Sequence, residues 1–188
     1  QARMSTDQEN ARAMLEAAKA HPKQVTMICP PPHRMPWEAT IKRLLAPDND
    51  AGVGELREVV VQCRNGGALK SDTISWREQV EYSGKQIMGV GIWAETLNAW
   101  VGPYRTLTAN LATPIPTKKD EQGNEVPVRI PQVCAIQGVL ESGVPITETH
   151  TGVDPQANIN QARFVGSRGT LVVDVMDKLT FARHGQPF

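Results

Sequence analysis

The sequence predicts an α+β fold, with a mainly antiparallel twisted sheet or partial barrel of about six to eight strands, two N-terminal helices and long irregular loops. Three observations predict it. Short apolar runs, several of them with period two, recur along the chain after residue 55. Helical spacing marks the first part of the chain, and proline, glycine and charged residues fill the segments between apolar runs. We therefore divide the chain into an N-terminal arm, residues 1–36, with a helix, a short strand and a proline-rich segment, and a single α+β domain, residues 37–188.

Residues 85–101 form the most apolar unbroken stretch, and we expect the rest of the domain to pack around it. Up to Trp93, the β-branched residues and two glycines predict a buried strand. From Trp93 onward, Leu97 and Trp100 follow at helical spacing, which predicts one face of a helix. Gly102 predicts the end of that helix.

The same stretch contains a loose dinucleotide-binding pattern, G-x-G-x-x-A, in residues 89–94. A dinucleotide site also needs an acidic residue about 20 residues later, which holds the ribose. Residues 107–117 contain no carboxylate. We therefore expect no dinucleotide and no other cofactor, and we interpret the two glycines as relief of crowding in a sheet.

The N-terminal arm carries the clearest helix, predicted for residues 5–21 because Thr6 and Glu9 match a capping box and a narrow apolar face follows. A short strand is predicted for residues 25–29. Residues 30–36 contain four prolines, which exclude a helix or a central strand and favour an extended path. This segment is a stiff linker or a ligand for an aromatic groove of another protein. Its predicted partner-binding residues are Pro30, Pro31 and Pro32.

In the domain, the pattern predicts a second helix, several strands, a charged hairpin tip and one long loop. The predicted elements are the helix 37–46, the strands 55–63, 68–82, 104–111, 126–140 and 170–176, the tip 118–125 and the irregular loop 141–162. Because a neighbouring chain often satisfies irregular backbone, we interpret the tip and the loop as partner-binding arms. Their predicted contact residues are Lys118, Lys119, Glu148, His150 and Asp154.

The charge balance argues against two classes of partner. Twenty basic and 20 acidic side chains give a formal net charge of zero, whereas binding to nucleic acid or to an anionic membrane normally needs a positive excess. An oligonucleotide-binding barrel would depend on Arg163, Phe164 and Arg168, but only 5% of the residues are aromatic. No apolar run is long enough to cross a bilayer, so we expect a soluble protein in a reducing compartment or a virion.

Three cysteines, Cys29, Cys63 and Cys134, lie far apart in apolar, strand-like runs. We expect buried thiols in a reducing compartment. One disulfide with a spare thiol stays open as the alternative.

No catalytic or metal-binding motif appears. The four histidines lie in four different local contexts, without H-x-x-x-H, H-E-x-x-H or C-x-x-C spacing, so no metal site is expected. The nearest approach to an active site is the group of Glu148, His150 and Asp154 within one predicted loop.

Balanced charge, irregular appendages and the missing motifs favour a non-catalytic structural or assembly subunit of a larger complex, for example a virion head or tail component. Its partners would be other protein chains, in a homo-oligomer or a multi-subunit assembly. The first alternative is an oligonucleotide- or small-ligand-binding module. The second is an enzyme whose site is assembled by tertiary contacts around Glu148, His150 and Asp154.

Overall fold

The computed structural model describes residues 4–29, 32–34, 37–85, 87, 89–175 and 177–188. The helices are α1 (Gln8–Ala20), α2 (Glu38–Leu45), α3 (Val80–Ser83) and α4 (Val90–Val101). The strands are β1 (Leu56–Arg64), β2 (Tyr104–Ala112), β3 (Thr117–Lys119), β4 (Glu125–Pro127), β5 (Val133–Leu140), β6 (Pro145–Thr151), β7 (Ile159–Gly166), β8 (Gly169–Asp174) and β9 (Lys178–Arg183). Short 3-10 turns cover Pro32–Arg34, Gly67–Leu69 and Trp76–Glu78. In this described part, no helix is long and apolar enough to cross a membrane.

Seven strands form one open sheet in the order β2-β5-β6-β1-β7-β8-β9, and β3 pairs with β4 in a separate hairpin. Within the described residues, β1 runs parallel to β6, and the other neighbouring strands of the sheet are antiparallel. The predicted α+β class is therefore confirmed, and the sheet is mixed, with one parallel pair of strands. The partial barrel is not seen, because the sheet ends in two edge strands, β2 and β9.

The core lies between one face of this sheet and the helices α2 and α4. The two helices contribute Ile41, Leu44, Trp93, Leu97 and Trp100, and the sheet contributes Val59, Val61, Ile146, Phe164, Leu171 and Val173. Trp100 meets both Trp93 and Phe164 edge to face, with ring centroids 6.5 Å and 6.0 Å away. Each side chain of this size contributes roughly 2 kcal/mol when it is fully buried, so the packing of α4 on the sheet contributes much of the stability of the core.

The strand predicted for the first half of residues 85–101 is wrong, because α4 already begins at Val90. Trp93, Leu97 and Trp100 are buried on one helical face, and the helix extends one turn before Trp93. β-branched residues lower helix stability by less than about 1 kcal/mol each, and burial of the tryptophan ring outweighs this cost. The predicted end of the helix is confirmed, since Gly102 follows with φ of 89°.

Three other predictions fail. Residues 25–29 form no strand, and Val25 and Met27 are 95% and 86% exposed. Residues 68–82 form turns and the start of α3 instead of a strand. Residues 141–162 are not an irregular loop, since they contain β6 and the start of β7. β6 does alternate, but its buried positions include Glu148 and His150, so the apolar signal of a strand is missing.

The predictions for α1, α2 and β1 are confirmed. α1 begins after Asp7, whose side chain accepts the backbone N–H of Asn10 at 2.8 Å, so the cap is Asp7 and not Thr6. α1 buries no residue. In β1, Val59 and Val61 are buried while Val60 is half-buried, as befits a central strand between β6 and β7.

Candidate functional site

A row of polar side chains crosses the centre of the sheet on the side of the helices. Cys134 of β5 is paired with His150 of β6, His150 with Cys63 of β1, and Cys63 with Asn160 of β7. Directly paired residues of neighbouring strands point to the same face, so these four side chains lie side by side. The row lies at the carboxyl ends of the parallel strands β1 and β6.

Glu148, two residues before His150, ties this row to Tyr104 of the edge strand β2. His150 Nε2 lies 2.8 Å from Glu148 Oε2, and the Tyr104 hydroxyl donates a hydrogen bond to Glu148 Oε1. Gly138 makes room for the tyrosine, because a Cβ there would lie 3.3 Å from Tyr104 Cδ1 and 2.8 Å from the carbonyl oxygen of Thr106. Burial raises the pKa of Tyr104, and the neighbouring charge of Glu148 raises it further.

This cluster of Tyr104, Glu148 and His150 is closed to a substrate. Glu148 is 1% exposed and His150 is 0% exposed, so their side chains lie inside the core. Asp154, the third member of the predicted group, lies elsewhere and pairs with Arg64 at 2.7 Å. The structure therefore brings two of the three predicted residues together, in a position suited to holding β2 on the sheet.

The cysteines differ from the prediction at one position. Cys63 and Cys134 are buried free thiols, as predicted, but Cys29 is exposed. Burial raises the pKa of both buried thiols, and the charge of Glu148 adds to the shift at Cys134. Because β6 lies between β1 and β5, Cys63 and Cys134 are too far apart for a disulfide.

Two carboxylate contacts that differ in burial, Glu148 with His150 and Asp154 with Arg64, provide a matched test. We expect Glu148→Ala to lower the free energy of unfolding by about 3 kcal/mol, because it leaves His150 and the Tyr104 hydroxyl buried without an acceptor. Asp154→Ala, at a pair that is about one third exposed, should cost less than about 1 kcal/mol. Urea unfolding of both variants measures the difference, and a loss below about 1 kcal/mol in Glu148→Ala would show that the buried cluster does not stabilise the sheet.

A second group of side chains extends the polar row toward the helices. The Trp93 indole N–H donates to Asn160 Oδ1 at 2.9 Å, and Asn160 Nδ2 lies 3.4 Å from His33 Nε2. The His33 ring lies against Trp93, with ring centroids 4.8 Å apart. We call Trp93, Asn160 and His33 the indole–amide–imidazole relay.

His33 is held against Trp93, and the next residue, Arg34, anchors the same turn to α2 and α4. Arg34 donates two hydrogen bonds to Glu38 of α2, at 2.8 Å and 2.9 Å, and lies 3.8 Å from Glu95 of α4. His33 itself is 7% exposed, and its Nδ1 has no hydrogen-bond partner in the described part of the chain. Burial lowers the pKa of His33 to about 4, so the imidazole is neutral at pH 7.

The low pKa of His33 predicts a loss of stability in mild acid. The unfolded chain binds a proton near pH 6.5 and the folded chain only near pH 4, so protonation favours unfolding between these values. Above pH 6.5, protonation of His33 does not lower the free energy of unfolding. Below pH 6.5, it lowers the free energy of unfolding by up to roughly 1.4 kcal/mol for each pH unit. Urea titrations at several pH values between 4 and 6.5 give the slope of the free energy of unfolding against pH. His33→Phe should make this slope smaller, and an unchanged slope would contradict a buried neutral His33.

A groove of about 740 Å³ lies beside the hairpin of β3 and β4. Its lining includes Trp76, Glu78, Glu81, Tyr82, Asp120 and Arg129. No member of the relay or of the Glu148 cluster lines it. The described residues also contain no group of three His, Cys, Asp or Glu side chains that could hold a metal ion.

The predicted arms lie in very different surroundings. Pro30 and Pro31 fall outside the described residues, and Pro32 begins a 3-10 turn. Lys118 points into the protein, is 7% exposed and pairs with Glu78 at 2.8 Å, whereas Lys119 is exposed on β3. Partner binding through these residues, and through Glu148, His150 and Asp154, stays a prediction.

Sequence reasoning missed the relay. Its members come from a 3-10 turn, a helix and a strand, and 127 residues separate His33 from Asn160. The one available signal was that Trp93 lies in the most apolar stretch, since a buried indole N–H usually has an acceptor.

Solved structures match this architecture, whereas no protein-family model and no curated protein matches the chain. An oxidoreductase domain protein from Kribbella flavida has a TM-score of 0.81 and 19% identity, over 98% of this chain and 51% of that chain. An NAD binding oxidoreductase from Klebsiella pneumoniae has a TM-score of 0.78 and 18% identity, over 97% and 49%. Levoglucosan dehydrogenase in complex with NADH and levoglucosan has a TM-score of 0.77 and 20% identity, over 95% and 48%.

These similarities show the fold, a sheet-rich α+β fold that this chain shares with about half of each of these oxidoreductases. The chain spans about half the length of the solved structures it matches. The prediction of a non-catalytic structural or virion subunit is wrong, because several oxidoreductases share this fold over nearly the whole of this chain. The same finding corrects the preference for a non-catalytic protein over an enzyme.

Proposed function

We propose that the chain forms the sheet-bearing part of a nicotinamide-dependent oxidoreductase that acts on a sugar or another polyhydroxylated substrate. The observation that carries the proposal is the fold, which matches oxidoreductases over 97% and 98% of this chain. One of the matched enzymes is named for levoglucosan, an anhydrosugar, and supports the substrate class.

The described residues of this chain do not fit a whole dinucleotide. The residues with the G-x-G-x-x-A pattern lie at the start of α4, and no described strand directly precedes them. The strand, tight glycine turn and helix that cradle a pyrophosphate are therefore missing from this part of the chain. In the proposed enzyme, other residues bind the dinucleotide, which supplies hydride transfer, and the sheet-bearing part binds and orients the substrate.

The carboxyl ends of β1 and β6 are the proposed substrate side. In open sheets that contain parallel strands, ligands commonly bind beyond the carboxyl ends of those strands. Here this end carries the relay and the start of α4, which has no side-chain cap and no acidic residue in its first turn. The positive dipole end of this helix favours an oxygen atom of a ligand.

Nuclear magnetic resonance of the labelled chain tests this assignment. We expect millimolar levoglucosan to shift the backbone signals of Arg64, Gly91 and Asn160, which lie at or near these carboxyl ends. NADH alone should cause no comparable shifts, because the described residues contain no phosphate cradle. If a panel of anhydrosugars, pyranoses and cyclic polyols causes no shifts, or only shifts at the groove beside the hairpin, the proposed substrate side is wrong.

We further propose that a second copy of the chain associates through the edge strand β2. Leu107 and Leu111 are each 54% exposed on β2, and an edge strand offers unpaired backbone groups. Light scattering should show a mass that rises with concentration. Leu111→Lys should abolish this rise, and Thr108→Lys, on the other face of β2, is the matched control. A strict monomer at all concentrations would contradict the association.

A further inference from the structure

We propose that His33 presents its Nδ1–H as a fixed hydrogen-bond donor to an oxygen atom of the substrate, and that Asn160 and Trp93 are positioning residues for this donor. The inference rests on the proposed function in one respect, because it takes the ligand to be the sugar. The assignment of the proton to Nδ1 depends only on the contacts of the relay.

The first step is the orientation of the Asn160 side chain. An indole N–H is a donor and never an acceptor, so the atom that Trp93 Nε1 meets at 2.9 Å must be the carbonyl oxygen of the amide. This contact places the amide nitrogen of Asn160 toward His33. A reversed amide would set two donors against each other at Trp93.

The second step is the tautomer of His33. The amide nitrogen of Asn160 is a donor only, so His33 Nε2, 3.4 Å away, has to accept the hydrogen bond. A neutral imidazole carries one proton, and that proton must then be on Nδ1. Trp93 therefore determines, through Asn160, which nitrogen of His33 is the donor.

The third step is the missing partner of this donor. His33 is more than nine-tenths buried, and Nδ1 has no hydrogen-bond partner among the residues that the structure describes. A buried N–H without an acceptor destabilises a protein, and such groups are rare unless a ligand or ordered water completes them. His33 lies against the first turn of α4, where the uncapped amino end of the helix also favours an oxygen atom.

The role of His33 follows from this arrangement. Asn160 occupies Nε2, and a neutral imidazole is a poor proton donor at Nδ1, so His33 does not act as a general base or a general acid. It orients a ligand oxygen by hydrogen bonding alone. Sugar affinity should therefore depend on the presence of the Nδ1–H but not on pH between 6 and 8.

Nitrogen-15 spectra of the imidazole test the proton assignment in the ligand-free chain. We expect the wild-type chain to carry the His33 proton on Nδ1. Asn160→Asp replaces the amide donor by a carboxylate that can only accept, so this variant should carry a proton on Nε2. A wild-type His33 with its proton on Nε2 would overturn the inference, whether or not a sugar binds.

Levoglucosan titrations of three chains test the ligand contact. His33→Phe keeps a ring against Trp93 but removes the donor, and we expect about three- to tenfold weaker binding, the usual effect of one neutral hydrogen bond. His184→Phe, at an exposed histidine near the C-terminus, is the matched control and should bind as the wild type does. Equal affinity of the His33→Phe and wild-type chains would overturn the inference and leave the proposed function intact. If the wild type binds no sugar, the proposed function fails, whereas the nitrogen spectra still decide the donor assignment.

Discussion

The hydrogen bond from the buried Trp93 indole to Asn160 is the constraint on which the arrangement at the centre of this protein depends. Trp93 is 0% exposed, its N–H can only donate, and the sheet provides an acceptor for it beneath α4. β7 provides it at the position paired with Cys63. The register of β1 and β7, the placement of α4 and the orientation of the Asn160 amide are thereby linked.

The same contact explains the position of the N-terminal segment. His33 packs against Trp93 and approaches Asn160, while Arg34 binds Glu38 on α2 and approaches Glu95 on α4. A single short turn thus joins two helices and the sheet. On the other side of the polar row, Glu148 connects His150 to Tyr104 and holds the edge strand β2. Two hydrogen-bonded groups, one on each side of Cys63, therefore fix the elements around the carboxyl ends of β1 and β6.

The sequence was sufficient where apolar periodicity and burial coincide. It predicted α2 and the central strand β1, because their apolar residues face the core. It also predicted α1, which buries no residue, from its capping residues and helical spacing. It failed at β6, whose buried side chains include Glu148 and His150, since a polar residue on the buried face removes the expected alternation. It failed at residues 25–29 in the opposite way, because an apolar run without a pairing strand stays exposed. The relay could not be predicted, since 67 residues separate Trp93 from Asn160 and only the folded sheet brings them together.

The proposed function follows from the fold, while the proposed ligand contact follows from the chemistry of particular atoms. A fold alone does not determine a reaction. Glu148 and His150 are residue types that often act in catalysis. Because both are buried, they are better suited to stabilising the sheet. His33 lies in a proline-rich segment without a catalytic motif, and yet one of its buried ring nitrogens has no partner among the described residues.

A double-mutant cycle of Trp93 and Asn160 tests the central claim most directly. Trp93→Phe, Asn160→Leu and the double variant are unfolded in urea, and the coupling free energy is calculated from the three changes. The account predicts a coupling of at least about 1 kcal/mol, because each single variant leaves a buried polar group without its partner. Additivity of the two single changes within about 0.3 kcal/mol would show that the hydrogen bond does not connect α4 to the sheet and would contradict the account.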